Sequence, residues 1–429
     1  MSAEEKFDVI VIGGGPAGLS AGYFLAKKGF EVVVLERGEE IGTKNMFGGR
    51  IYSHVFDKYY PGWRDEVPVE RWVRRERFTI LCKEDSISLQ YIPGQDGGEY
   101  DSFTAFLSKF LKWMAAVAES EGALVLPGVK VDRILIEDGY ASGVLAGGDR
   151  LSADYIVVAE GINTLLVEEL GLKGRPKPES LGVGVKEVFK LGRDTINRRF
   201  GVGDGEGVAE FLLGYPINKY GAGGFIYTMD EYVSIGAVMK IGNVYKSEDN
   251  VMDLAEDLRS HPYIKGLVEG GTMVEYSAHM VGEGLGAILE RPYGDGLLVV
   301  GDAAGTLVNT GFTVRGVDYA VESSRLAADV IEESHGAGDR SSAFLSRYKD
   351  YLDSSVIGRS LRRFRKVPEV LSMDRLHTTY IDFICDVLSG VYTVGEETPS
   401  LKESIDRGRR GRVSIFRMIL DLFTLWRSL

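Results

Sequence analysis

Gly13-Gly14-Gly15-Pro16-Ala17-Gly18 has residue types and spacing suited to one kind of chemistry, the holding of a pyrophosphate. Gly13 lets the chain turn tightly, Gly15 lets backbone approach the phosphates, and Gly18 lets a following helix press on a sheet. The pyrophosphate then sits at the positive end of that helix. Glu36, followed by Arg37, is an acid placed to accept hydrogen bonds from a ribose 2′-hydroxyl. A second candidate lies far down the chain. In Leu297-Leu298-Val299-Val300-Gly301-Asp302-Ala303-Ala304-Gly305 an apolar run again ends in a small-residue turn, and this turn carries an acid.

For these residues to act together, a strand, a glycine turn, a helix and a second strand must position them. Phe7 to Ile12 is an apolar strand-like run, Leu19 to Gly29 is helical in pattern, and Glu31 to Leu35 reads as the next strand. A lone glycine motif is weak, but this surrounding βαβ pattern makes it specific. Asp154 to Gly161 reads as another strand ending in glycine. Phe103, Phe106, Leu107, Phe110, Leu111, Met114 and Val117 recur at helical spacing and predict a helix from Ser102 to Glu121. Asp138-Gly139 predicts a hairpin turn. Residues 180–290 are rich in strand-formers and glycine and read as an antiparallel sheet. Val317 to Ile331 reads as a helix, and 340–429 as mostly helical. No second GxGxxG follows a strand; Gly201 to Gly207 reads as a loop, which makes nicotinamide a poor candidate for direct electron donor.

Composition bounds the rest. The 429 residues suffice for two or three substructures. A net charge of −13 disfavours nucleic acid as a partner. The start of the chain shows no apolar signal region, and no apolar run is long enough to span a bilayer. The two cysteines, Cys82 and Cys385, lie in no CxxC pair. Two thiolates cannot hold an iron–sulfur cluster alone, and without a CxxC pair a disulfide-reductase mechanism is disfavoured. Each reads as a small buried hydrophobe, and a reducing, cytoplasmic setting fits.

The assembled segments resemble the FAD superfamily of hydroxylases, geranylgeranyl reductases and electron-transfer-flavoprotein:quinone oxidoreductases. Lys44-Asn45-Met46-Phe47-Gly48-Gly49-Arg50-Ile51-Tyr52 and Asn309-Thr310-Gly311-Phe312-Thr313-Val314-Arg315-Gly316-Val317-Asp318 narrow the resemblance to the FixC family, over effectively the whole chain. FixC proteins are the quinone-oxidoreductase-like FAD subunits of bifurcating electron-transfer-flavoprotein complexes. The resemblance implies an α/β fold of the FAD-binding, Rossmann-like glutathione-reductase type, hydroxylase branch. Its FAD-binding part would comprise 1–75, 100–180 and 290–335. An antiparallel-sheet quinone domain would take 76–99 and 181–289, and a helical region 336–429 would meet a partner or membrane.

The implied site is equally specific. Gly13, Gly15, Pro16, Ala17 and Gly18 would hold the pyrophosphate, and Glu36 with Arg37 the adenosine ribose. Phe47, Gly48, Gly49 and Arg50 would border the flavin. Val131 would offer backbone to adenine, Gly161 would keep a strand-end turn, and Gly301 with Asp302 would meet the ribityl–phosphate region. Gly311 and Phe312 would line the isoalloxazine edge, and the N–H groups of Gly316 and Val317 would meet the pyrimidine C2 oxygen, where a reduced flavin carries negative charge. Two departures stand out. Tyr100 occupies a position where several relatives place arginine, and Glu160-Gly161 stands where Asp-Gly is common.

The resemblance implies electron transfer from the alpha and beta subunits of an electron-transfer flavoprotein to a membrane quinone, menaquinone by preference. Larger single-chain relatives carry their own four-cysteine cluster, so a separate ferredoxin-like iron–sulfur subunit is implied here. Such chemistry needs no catalytic acid or base. Arg50 and Arg315 are candidates for stabilising reduced-flavin charge, with surface or salt-bridged arginines as the alternative. The five histidines show no metal spacing. At the C-terminus Ile415, Phe416, Ile419, Leu422, Phe423 and Trp426 share a helical face among arginines, a pattern of an interfacial helix at the inner face of the cell membrane. A partner-docking helix and plain packing are the other readings. A prenyl reductase of the geranylgeranyl type is the alternative function, and an inert FAD-binding scaffold a third.

Overall fold

The structure is a computed structural model and describes residues 6–44, 49–94, 101–174, 181–244, 251–282 and 289–429. Strands are numbered along the chain. Val9, Ile10, Val11 and Ile12 point alternately to opposite faces, yet all four are buried. Such a strand belongs inside a sheet covered on both sides, where parallel pairing is the rule. The first sheet obeys this. Its parallel core runs β17 (Leu297–Val299), β10 (Asp149–Val158), β1 (Lys6–Ile12), β2 (Val32–Glu36) and β7 (Leu124–Pro127), with β16 (Tyr293–Gly294) antiparallel at one edge. The helices Pro16–Lys27, Leu107–Ser120 and Val317–Ala337 cover one face. The other is covered by the hairpin β8 (Val131–Glu137) and β9 (Tyr140–Ala146), which turns at Asp138-Gly139 as the sequence predicts.

The second sheet has nine strands among the described residues. Its spatial order is β15 (Thr272–Gly282), β11 (Leu181–Lys190), β14 (Tyr232–Lys240), β13 (Gly223–Thr228), β12 (Glu206–Gly214), β4 (Arg71–Leu81), β6 (Ser102–Thr104) and β3 (Arg50–Tyr52), with β5 (Ser86–Tyr91) on β4. The expected antiparallel pattern needs one correction, because β12 and β4 run parallel. This pair joins segments more than a hundred residues apart, and strand direction at such range is not visible in local alternation. Buried Arg71 helps hold the junction. Its guanidinium donates to the carbonyls of Met229, Glu206 and Asp230 and to Asn197 Oδ1 at 2.6–2.9 Å. The helices Val251–Ser260 and Pro262–Val268 pack on the back of this sheet through Leu254, Leu258, Ile264 and Leu267.

Two further expectations change. The helix predicted from Ser102 begins at Leu107 and ends at Ser120. Ser102–Thr104 instead form β6, because Phe103 pairs with Ile51 and Trp72 across the second sheet. Tertiary pairing overrides the helical spacing of Phe103 and Phe106. The helix predicted from Val317 to Ile331 runs on to Ala337, where Gly338 closes it in the left-handed conformation.

The reading of two independent, reduced cysteines is also corrected. Cys82, just past β4, and Cys385, in the helix Thr379–Tyr392, form a disulfide across 303 residues of sequence. It sits beside a small apolar core of Ile80, Leu213 and Ile381 that fastens the C-terminal helices to the second sheet. No spacing rule could pair the two residues, because only the packing of this core brings them together. The denatured but unreduced protein is expected to label with no maleimide, and with two equivalents after reduction. Two labels before reduction would refute the bond.

Candidate functional site

A cavity of about 880 Å³ lies between the two sheets. Its nucleotide-like end is built first from β1. Gly13 takes a φ of +112°, and a Cβ on Gly18 would stand 1.7 Å from the Gly13 carbonyl oxygen. The turn is therefore closed so tightly that only glycine fits at Gly18. Gly15 then caps the helix Pro16–Lys27 with no side-chain cap and no acid in the first turn. Its free N–H groups and the positive helix end are left for an anion, and Gly13, Gly15, Pro16 and Ala17 all lie on the cavity wall.

Glu36 ends β2 nearby. Its Oε2 accepts from the Gly14 N–H and its Oε1 from the Gly38 N–H, both at 2.7 Å. The carboxylate is thus locked in place, with spare lone pairs at the cavity wall. Arg37 and Val131 line the same end, and Gly161 lines it from the turn after β10. Glu160 does not face outward as a free acid. It caps the helix Leu165–Glu169 by accepting from the Leu166 and Val167 N–H groups, at 3.0 and 3.1 Å.

The distant second segment arrives through the helix Val317–Ala337. Gly301 N–H donates to Ser323 Oγ at 3.0 Å, and Ser324 Oγ donates to the Ala17 carbonyl at 2.7 Å. Gly301 has a φ of +63°, and a Cβ there would come within 2.7 Å of the Ala17 Cβ. Gly18 and Gly301 therefore act behind the wall, by allowing close approach, while Asp302 lines the cavity itself. Burial pushes the Asp302 carboxyl up to about 6.

Gly316 caps the same long helix, again without a side-chain cap, and with Val317 lines the cavity. Ahead of it, β18 (Val308–Asn309) and β19 (Val314–Arg315) form a small hairpin, closed by Thr310 N–H to Thr313 O at 2.9 Å. Gly311 and Phe312 at its tip line the cavity. Gly49 and Arg50 line it from the opposite side, whereas Phe47 and Gly48 lie outside the described residues. Arg50 is not a free charge. It forms a bidentate pair with Glu76, donates to Ser102 Oγ and stacks on Tyr52. Arg315 is held by Asp318 and His54 and lies between Tyr52 and Tyr319. Both arginines are the salt-bridged kind.

Sequence reasoning did not single out the cavity's other arm. Phe78 of β4, Phe211 and Leu213 of β12, Phe225 of β13 and Val238 of β14 line it. The two-residue alternation of these strands carries the signal, because residues 209, 211 and 213 share one face while Val208 and Leu212 enter the helical core behind. A donor-rich glycine cradle with a locked acid and a buried aspartate fits a dinucleotide, and the apolar arm fits a hydrophobic co-substrate.

Known proteins agree with this geometry. Residues 8–95 match the family described as FAD dependent oxidoreductase, and residues 181–281 the one described as ETF-QO, ubiquinone-binding. The chain is 36% identical to the probable electron transfer flavoprotein-quinone oxidoreductase YdiS of Escherichia coli K12 and 34% identical to protein FixC of the same strain, each over 98% of both chains. Among solved structures it superposes on a geranylgeranyl bacteriochlorophyll reductase-like protein from Thermoplasma acidophilum with a TM-score of 0.73 at 19% identity, covering 97% of this chain and 99% of that one. The flavin-dependent brominase Bmp2 follows at a TM-score of 0.64 and 16% identity, covering 98% of this chain and 100% of that one. The fold and site are those of an FAD-dependent oxidoreductase. Within that class, this chain belongs to the FixC family of electron-transfer-flavoprotein:quinone-oxidoreductase-like proteins.

The raised Asp302 carboxyl has a pH signature. Its folded value of about 6 stands above the free value of 3.8, so between these the folded state binds more protons than the unfolded. Stability of the flavin-stripped protein should fall as pH rises through that window. Asp302→Asn should remove this part of the slope in urea-denaturation midpoints measured from pH 4 to 6.5; an unchanged slope would show that Asp302 does not titrate there.

Proposed function

We propose that this chain passes electrons from an electron-transfer flavoprotein, through FAD, to a quinone held in the apolar arm. The observation that carries this reading is the cavity's continuity. A glycine cradle opens at one end, and a slot of aromatic and aliphatic side chains, mostly within the matched residues 181–281, opens at the other. In this reading Gly13 to Gly18 hold the pyrophosphate, and Glu36 and Arg37 the adenosine ribose. Val131 meets adenine, Asp302 the ribityl chain, and Gly316 and Val317 the pyrimidine. Gly49, Arg50, Gly161, Gly311 and Phe312 complete the walls. FAD, when bound, supplies the ability to exchange one or two electrons. The protein excludes water from the slot and fixes the distance between donor and acceptor.

Both cysteines are joined to each other, so this chain offers no thiolate to a cluster. A separate ferredoxin-like iron–sulfur subunit therefore fits as the relay, the whole being part of a bifurcating complex, with menaquinone as acceptor. To test the reading, the protein is purified with its partner subunits, mixed with reduced electron-transfer flavoprotein, and the flavin absorbance followed. Bleaching that a menaquinone analogue reverses is the expected result. Saturation of geranylgeranyl chains would replace it with a prenyl reductase, and a flavin silent to both would leave a scaffold.

A peripheral seat on the inner face of the cell membrane completes the proposal. No helix among the described residues is long and apolar enough to cross a membrane. The C-terminal helix Ile415–Ser428 is instead turned inside out. Its buried residues are the polar Asp421 and Ser428, Asp421 held by Arg375, Tyr380 and Arg417, while Phe416 and Trp426 are 71% and 75% exposed. An outward apolar face with arginines beside it suits an anionic bilayer. Replacing Phe416, Ile419, Phe423 and Trp426 with serine should abolish co-sedimentation with phosphatidylglycerol vesicles; retained sedimentation would remove the membrane from the proposal.

A further inference from the structure

The arm of the cavity farthest from the glycine cradle in sequence carries two polar side chains that the nucleotide reading leaves unused. Lys240 ends β14, and His377 ends the short helix Asp374–His377; both line the wall beside Pro368 and Leu371. Lys240 Nζ donates to the Pro368 carbonyl at 2.9 Å, the one hydrogen bond it makes among the described residues. An ammonium has three hydrogens, so two remain to donate. His377 is 5% exposed, and its Nε2 stands 2.6 Å from the Leu371 carbonyl oxygen. A carbonyl oxygen only accepts, so Nε2 carries the hydrogen and Nδ1 of the neutral ring is an acceptor. That Nδ1 is buried with no hydrogen-bond partner among the described residues. Burial lowers the basicity of the ring, opposed by its bond to Leu371 and by Asp374, and assisted by Lys240. A bare buried acceptor on a residue of the cavity wall is costly unless a ligand supplies a donor.

We propose that Lys240 and His377 clamp one oxygen of the quinone ring, Lys240 donating to the carbonyl of the oxidised form and His377 Nδ1 accepting from the hydroxyl of the reduced form. The inference rests on reading the apolar arm as the quinone slot. Reduction adds two electrons and two protons to the ring, so each C=O acceptor becomes an O–H donor. A fixed donor alone would grip the quinone and lose the quinol, and a fixed acceptor the reverse. The pair keeps a partner for the same oxygen in both states. Lys240 and His377 are thus positioning residues tied to one short segment, 368–371, through the two carbonyls they bond.

The test is equilibrium dialysis of the FAD-loaded full chain against a short-chain naphthoquinone, and separately against its quinol under argon. Lys240→Met is expected to weaken quinone binding about tenfold while changing quinol binding less than threefold. His377→Leu is expected to do the opposite. Lys240→Arg and His377→Gln, which keep a donor and an acceptor, should restore most of the affinity. Flavin content and melting temperature, measured on every variant, separate misfolding from lost recognition. Equal loss of both ligand forms in either variant, or no loss in both, would overturn the clamp and leave the slot standing. Failure of the unaltered chain to bind either form would overturn the slot, and the clamp with it.

Discussion

The site depends on a close approach that leaves no room for a side chain. Gly301 presses against Ala17, and the helix Val317–Ala337 holds the contact with two adjacent serines, one bonded to each segment. Because the serines are neighbours on one helix, the two segments are clamped to a single rigid rod. The consequence is electrostatic as well as steric. The N-termini of Pro16–Lys27 and Val317–Ala337 both reach the cavity without side-chain caps, and Asp302 lies on the same wall. Two positive helix ends in one cavity favour a ligand with negative charge at both places. FAD is such a ligand, since it carries a pyrophosphate and, once reduced, a charged pyrimidine.

The second sheet supplies the opposite environment by a simple division of faces. On β12, Ala209, Phe211 and Leu213 face the cavity, while Val208 and Leu212 join the helical core behind; the buried acid Glu210 also reaches the cavity lining. Glu210 takes hydrogen bonds from Thr79 and Tyr263, and burial raises its pKa. The cavity side carries the aromatic and aliphatic residues Phe78, Phe211, Phe225 and Val238, with polar groups among them, Arg77, Glu210, His279 and, at one end, Lys240 and His377 included.

The C-terminal region is attached by the reverse of ordinary packing. Asp421 is 4% exposed and held by two arginines and a tyrosine, so an ionic contact anchors a helix whose apolar side faces out. Its last residue, Leu429, packs against Gly311 at the tip of the cavity hairpin. The Cys82–Cys385 bond fixes the neighbouring helix to the second sheet. The C-terminal helix is thus both outward-facing and in contact with the cavity hairpin.

Local order in the chain was enough for the nucleotide end. The glycine turn, the strands beside it, Glu36 and the Asp302 segment were legible because each depends on residues within a few positions: strand period, turn chemistry and a helix start. The same locality explains the errors. Phe103 and Phe106 have helical spacing, but Phe103 is claimed by strands near residues 51 and 72, which no window can see. The parallel pairing of β12 with β4, the joining of Cys82 to Cys385 and the salt bridge of Arg50 to Glu76 are likewise decided by segments distant in sequence. The inward turn of Asp421 belongs with them, because hydropathy alone would have put that residue in water. The chain by itself therefore determined which nucleotide-like cradle forms. Only the tertiary structure decided what faces it across the cavity, because that depends on which faces of two sheets meet.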